Sequence, residues 1–426
     1  MNEFIQKYFQ EIKDVDEYSL DKNIKYFSAL YEKFLDEEGK ELKIHEPEND
    51  IISNILPLPI LNTERYPVIQ DYCKLSENIE SLKDYNLILC KMNAGLGSSV
   101  ERADELKKLT GRIELGSKGT DLFLSLDGKN KSLAELQLAQ TEILKKSNIF
   151  NDVKLQNLVN HETLKEVEKL KNENVKENIL QLKMPTICDE KLTNKRVAPA
   201  GHAFLGFSFL SKIFSSTQME QELIVIGNGE DLNSTPDSRI FAWVAENQIP
   251  ITMITTTKLE KDKKGGQISV VTGEIDYVTI VEKAQAQKSG QLEYFEKLGL
   301  RENDKKSLFN TNIIVINAKV LKEKLSKLEV SEDEFHRIIS PDLIKNNKTE
   351  NGKVFTQLEG AIGSTMLNLD KFFRLNVGEP VVSFLNLDPD AREKFFIPIK
   401  TIEDFNELKE KYNYNSKSGR FDLKEK

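Results

Sequence analysis

The chain has 426 residues, of which 39% are hydrophobic and 30% charged, and its formal net charge is −9. An acidic balance argues against nucleic-acid binding, where a basic stripe supplies most of the affinity; it leaves room for a few lysines focused on a small polyanion. No apolar run reaches the ~20 residues of a membrane span, and three cysteines (Cys73, Cys90, Cys188) without CxxC spacing argue against a disulfide framework or a zinc site.

The start, "MNEFIQKYFQEIKD", carries acids from its third residue, unlike a signal peptide, so a soluble cytoplasmic protein is expected. "NEFIQKYFQEI" spaces Phe4, Ile5, Tyr8, Phe9 and Ile12 at helical intervals, and "IKYFSALYEKFLDEE" repeats the pattern. These predict two packing helices, followed by the irregular connector "EPENDIISNILPLPILNTERYP". From residue 84 short apolar runs alternate with longer charged ones. "NLILCKM", "VKLQNLV", "NILQL", "ELIVIG", "ITMITTT", "QISVV", "VTIVE" and "NIIVIN" predict strands. "SLAELQLAQTEILKKS", "HETLKEVEKLKNENV", "SRIFAWVAENQ" and "AKVLKEKLSKL" predict helices. The alternation predicts an α/β fold, a sheet covered by helices. "LEKDKKGG" and "KNNKTENGK" read as polar turns. After residue 385 one more strand, "KFFIPIK", and a polar tail are expected. The divisions are 1–82, helices and connector; 83–385, the core; and 386–426, a short C-terminal segment.

Several stretches carry chemistry. In "LILCKMNAGLGSSV" an apolar strand runs into Asn93, Ala94, Gly95, Leu96 and Gly97. Such a loop bares backbone N–H groups suited to phosphate, though an ordinary strand-to-helix turn uses glycines too. It is neither a Walker loop nor a GxGxxG fingerprint. Lys118 in "LGSKGTD" is a phosphate-ligand candidate or a solvated charge. His202 follows a Pro-Ala-Gly turn in "APAGHAFLG" and reads as structural or functional. "ELIVIGNGEDLNSTPD" runs a strand straight into Asn228, Glu230 and Asp231. Acids past a strand's C-terminal end stand where open α/β sheets bind ligands, and hard oxygen donors there suit Mg²⁺; a self-capped loop would look the same.

Taken in order, these pieces resemble the UDP-sugar pyrophosphorylase family, nearest its eukaryotic-type UTP–glucose-1-phosphate uridylyltransferase branch, over roughly residues 85–405. "KMNAGLGSS" resembles the family's Lys-Leu-Asn-Gly-Gly-Leu-Gly loop. "LVNHETLKEVE" resembles its Asn-Ser-Phe…Thr segment, and "QLKMP" keeps its Gln-x-x-x-Pro spacing. "PAGHAF", "IGNGEDLNSTPD", "KDKKGGQI", "VEKAQ", "FNTN", "TQLEGAIGSTM" and "REKFFIPIKTIEDF" follow in the family's order.

The resemblance implies a GT-A-like, Rossmann-type mixed sheet flanked by helices. It implies Mg²⁺-assisted transfer of uridylyl from UTP to glucose-1-phosphate, giving UDP-glucose and pyrophosphate, with residues 83–385 as the nucleotidyltransferase core. Its substrates would be UTP and a hexose-1-phosphate, with no nucleic acid or membrane partner. An N-acetylhexosamine-1-phosphate enzyme and a non-catalytic nucleotide-sugar sensor are the alternatives. By resemblance, Met92, Asn93, Ala94 and Gly95 border the uridine, Gln181 reads the uracil edge, and Gly201 lies beside it. Lys118 neutralises the leaving pyrophosphate, and Lys400 reaches in from the C-terminal segment. His202, Asn228, Glu282 and Asn310 serve the sugar phosphate, and Glu230 serves the metal.

The chain ends 26 residues after Lys400, which leaves no room for the family's C-terminal β-helix and predicts a monomer. Several departures stand out. Ala94 replaces a glycine, at a cost on the order of 1 kcal/mol if the backbone there needs φ > 0. Glu230 stands where the family has aspartate, so the metal sits further back or Asp231 substitutes. Phe204 replaces an acid, and "ERADELKKLTGRIEL" lengthens the segment before Lys118.

Overall fold

The computed structural model describes residues 2–38, 55–57, 69–76, 82–95, 117–126, 128–257, 266–271, 277–281, 308–399 and 402–424. A mixed sheet runs through the molecule. From one edge to the other its strands are Ile69–Asp71, Val382–Leu387, Ile251–Thr257, Leu308–Asn317, Glu222–Asn228, Asn86–Met92, Asp152–Val159 and Ile179–Leu180. Leu308–Asn317 runs antiparallel to both neighbours, and the other neighbouring pairs on this path are parallel. Ile55–Pro57, Gln267–Val271 and Tyr277–Val281 add a branch.

Side-chain alternation explains the layers. Ile88, Cys90, Ile224, Ile226, Ile314 and Ile316 enter the larger apolar core. Leu87, Leu89, Leu223, Val225, Ile313 and Val315, one residue out of phase, enter a second core on the opposite face. Helices Ala203–Ser215 and Ile362–Asn376 cover the first face, and helix Ser238–Glu246 the second. The N-terminal helices Glu3–Gln10 and Glu17–Glu38 join the first core through Ile5, Phe9, Tyr26, Phe27 and Phe34.

The structure departs from the sequence reading in identifiable places. Residues 394–399 of "KFFIPIK" form no strand: Asp388 caps a helix, Pro389–Phe395, with proline in its first turn, and residues 396–399 are irregular. The polar tail folds as helix Ile402–Lys411 and the hairpin Tyr412–Asn415/Arg420–Leu423. "KNNKTENGK" is mostly strand. Leu343–Glu350 and Lys353–Gly360 pair about Asn351 and Gly352, both at positive φ. With Lys183–Cys188 and Lys191–Pro199 they form a separate four-stranded antiparallel sheet. The helix expected over "HETLKEVEKLKNENV" stops at Glu168. Helix Ala203–Ser215 was not expected, because "AFLGFSFLSKIF" is apolar on nearly every side; it is buried all round, so no periodic stripe exists to read.

Candidate active site

The parallel pairing sets Met92 opposite Asn228 on one side and Leu158 on the other, so these strands end together. The chain runs outward from Asn86–Met92 to Asp152–Val159, then returns to the far side as Glu222–Asn228. Open α/β sheets bind ligands at such a reversal of strand order, beyond the carboxyl ends.

Beyond Met92 the Asn93 side chain turns inward and is fully buried. Its Nδ2 donates to Asn157 Oδ1 at 3.0 Å and Gln137 Oε1 at 3.4 Å, and its Oδ1 accepts from Ser117 Oγ at 3.3 Å. Asn160 Nδ2 donates to the Ala94 carbonyl at 2.6 Å, while Asn160 Oδ1 caps helix His161–Glu168. Ala94 is not among the positive-φ residues, so its methyl group carries no left-handed penalty. Gly95 is exposed, with open space where a Cβ would lie.

Lys118 begins a single helical turn, Lys118–Asp121, capped by Ser117. Its ammonium donates to the Ile399 carbonyl at 2.8 Å and lies 3.6 Å from Glu230 Oε1. Ile399 directly precedes Lys400. Glu230 keeps 22% of its side chain exposed. Asp231 is fully buried, and its carboxylate accepts from Asn233 N at 3.0 Å and Ile397 N at 3.1 Å. Beside it the buried Lys91 ammonium donates to Ser234 Oγ at 2.9 Å and Thr235 Oγ1 at 3.1 Å. Burial pushes the Asp231 carboxyl up and the Lys91 ammonium down, each charge partly offsetting the other's shift. Asp231 is thus committed to holding the loop, and Glu230 is the accessible acid.

A second cluster lies along the same edge. Gln181 is buried and donates to the Gly201 carbonyl at 2.6 Å. Gly201 takes φ +79 and packs onto the Gly360 backbone so closely that no Cβ would fit. The Asn23 side chain holds the residues on both sides of Gln181, bonding Leu180 O at 2.9 Å and Leu182 N at 2.8 Å. His202 Nδ1 accepts from Ile362 N at 3.1 Å, which leaves the proton on Nε2. Burial lowers its pKa to about 4, against an opposing pull from the Glu230 charge. Asn310 pairs with Asn312 at 2.8 Å and abuts Gly363, the residue after Ile362.

The structure therefore brings Met92, Asn93, Ala94, Gly95, Lys118, Asn228 and Glu230 together, and strings Gln181, Gly201, His202 and Asn310 beside them. Lys400, Glu282, residues 96–100 and the segment 101–115 lie outside the described residues. Sequence reasoning missed Lys91, Asn157, Gln137 and Asn23. A lysine directly after the apolar run 87–90 was the available signal for the first. Among the described residues no group of three or more His, Cys, Asp or Glu is placed to hold a metal. A Mg²⁺ ion bridging substrate phosphates needs only one or two carboxylates, a demand that Glu230 fits and the committed Asp231 does not.

A family described as UTP–glucose-1-phosphate uridylyltransferase matches residues 24–425. The chain is similar to the UTP–glucose-1-phosphate uridylyltransferase of Encephalitozoon cuniculi, 26% identical over 398 residues, covering 90% of this chain and 67% of that one. It is 26% identical to the Saccharomyces cerevisiae enzyme of that name over 229 residues, 52% of this chain and 39% of that one. Among solved structures, the UDP-glucose phosphorylase of Trypanosoma brucei superimposes with a TM-score of 0.67 at 20% identity, over 98% of this chain and 80% of that one. A UDP-glucose pyrophosphorylase variant from Leishmania major, solved with UDP-Glc, also gives 0.67 at 20% identity, over 99% and 81%. These superpositions establish the shared fold.

Proposed function

The chain belongs to the UTP–glucose-1-phosphate uridylyltransferase family, and we propose that it joins the α-phosphorus of UTP to the phosphate oxygen of glucose-1-phosphate, releasing pyrophosphate. The observation that carries this reading is the gathering of Lys118, Glu230 and His202 beside the bare loop Ala94–Gly95 at the strand ends. Two anions must meet in line, so the site has to supply positive charge and fixed donors; no nucleophilic side chain is needed. The Ala94–Gly95 main chain accommodates the nucleotide, and Gln181, locked by Asn23 and Gly201, presents its amide to the uracil edge. Lys118 is a movable point charge. It lies beside Glu230 and the Ile399 carbonyl, and there it neutralises the departing phosphates, where Lys400 joins it. His202, neutral with its proton on Nε2, donates to the sugar phosphate. Asn228, Asn310 and Glu282 serve the hexose. Glu230 would hold Mg²⁺, which when bound supplies further charge neutralisation on the phosphates.

The family match favours glucose-1-phosphate over an N-acetylhexosamine phosphate and catalysis over sensing. No helix among the described residues is long and apolar enough to cross a membrane. The three cysteines are free thiols, which supports a reducing, cytoplasmic setting. Incubation with UTP, Mg²⁺ and a panel of sugar-1-phosphates should release pyrophosphate with glucose-1-phosphate first. Thermal stabilisation by UTP without release from any sugar would favour the sensor, and release only with an N-acetylhexosamine phosphate would move the chain to that substrate.

A further inference from the structure

The buried amide of Asn93 sits where the nucleotide loop, the Lys118 turn and the Glu230 loop come together. A Cβ at Gly119 would overlap Asn93 Oδ1 and lie 2.8 Å from the Gly229 carbonyl. A Cβ at Gly229 would overlap the same oxygen and lie 2.6 Å from the Met92 carbonyl. Both glycines are therefore required by close approach, and Asn93 fills the seam between them. Its remaining bonds fasten the seam to the body of the protein: Nδ2 reaches Asn157 on the neighbouring strand and Gln137 Oε1, and Ser117 donates to Oδ1; Gln137 Nε2 in turn donates to the Gly229 carbonyl at 2.7 Å. The arrangement has a simple register. Gly119 directly follows Lys118, and Gly229 directly precedes Glu230.

We propose that Asn93 is a positioning residue, its side chain clasped between Gly119 and Gly229 so that the Lys118 ammonium and the Glu230 carboxylate are held at a fixed spacing over the nucleotide loop. The inference rests on the reading of Lys118 and Glu230 as site residues and goes beyond it. Asn93 acts through its neighbours: it is fully buried and its backbone N–H is taken by Leu158 O, so its side chain does not meet substrate. On the clasp, a one-methyl change at either glycine would disturb two site residues on separate loops.

Two cycles test this. In the first, Lys118→Ala is made in the wild-type chain and in Asn93→Ala, and kcat is read at saturating UTP and glucose-1-phosphate, well below each variant's unfolding midpoint. If Asn93 only stabilised the fold, the two effects would multiply. The clasp predicts that Lys118→Ala lowers kcat about 100-fold in the wild type and less than about 5-fold in Asn93→Ala, where the ammonium is already misplaced. Equal effects in both backgrounds would overturn the proposal. The second cycle needs no activity. Gly119→Ala should lower the thermal midpoint, and by less in Asn93→Ala, because the overlapping oxygen is gone while the Gly229 carbonyl contact remains. Recovery of folded Gly119→Ala protein only in that background counts as the same result. An undiminished loss, or failure to fold in both backgrounds, would overturn the clasp. An inactive wild-type chain would refute the uridylyltransferase reading while leaving the second cycle decisive for the clasp.

Discussion

On the proposed reading, the Lys118 charge stands beside its place of use. Its bonds to Ile399 O and Glu230 are exchangeable with phosphate oxygens, which are better partners for an ammonium. Removing it by Lys118→Ala should slow pyrophosphate release about 100-fold, the size of effect seen when one preorganised donor is lost, with little change in thermal stability. The two adjacent acids separate cleanly. Glu230→Gln should raise the Mg²⁺ concentration needed for half-maximal rate at least about tenfold. Asp231→Asn should instead lower the unfolding temperature, because it disturbs the seat of Lys91, Asn233 and Ile397. His202 carries a pH signature. Its folded pKa is depressed to about 4 from an ordinary 6.5, so its contribution to stability is complete above pH 6.5 and is lost as pH falls toward 4. Thermal midpoints of His202→Gln should therefore depend less on pH over that window than those of the wild type. Gln181, His202 and Glu230 could be nominated from the sequence because their neighbours form recognisable strings. The sequence did not expose the inward turn of Asn93 or the burial of Lys91, since these depend on three loops meeting and no local pattern encodes that.

Among the elements, the strands Asn86–Met92, Asp152–Val159, Glu222–Asn228, Ile251–Thr257 and Leu308–Asn317 were readable because their apolar runs are short and bounded, whereas Val382–Leu387 and the four strands of the antiparallel sheet were not expected. The two ends of the chain were harder. The N-terminal helix Glu17–Glu38 reads as packing, yet its Asn23 and Tyr26 reach the segments that carry Gln181 and Gly201, the latter through a bond to Ala200 O at 2.8 Å. Asn23→Ala should raise KM for UTP more than it lowers kcat. The C-terminal hairpin looked like a polar tail because its anchors are few: Phe421 and Arg420 are buried, and Arg420 donates to Pro236 O at 2.8 Å. Asn233 joins this hairpin to the site loop. It donates to Lys394 O and Phe421 O and accepts from Phe421 N, all at 2.8 to 2.9 Å. Asn233→Ala leaves these groups unpaired inside the protein and should cost about 3 kcal/mol in denaturant unfolding.

At the scale of the molecule, one sheet with a reversal of strand order fixes where a ligand can bind, and helices on both faces hold that edge still. Two polar seams hold the loops above it: Asn93 between two glycines, and Lys91 with Asp231. The site is assembled from segments as distant in sequence as Asn93 and Ile399, so binding at it should stabilise the whole fold. UTP at about 100 times its Kd should add about 2.7 kcal/mol to unfolding. The most direct test of the account is a crystal structure of the chain with UTP. The uracil should lie against Ala94–Gly95 and Gln181, with the Lys118 ammonium turned from Ile399 to the triphosphate. A nucleotide bound away from the ends of strands Asn86–Met92 and Glu222–Asn228, with Lys118 still on Glu230, would contradict it.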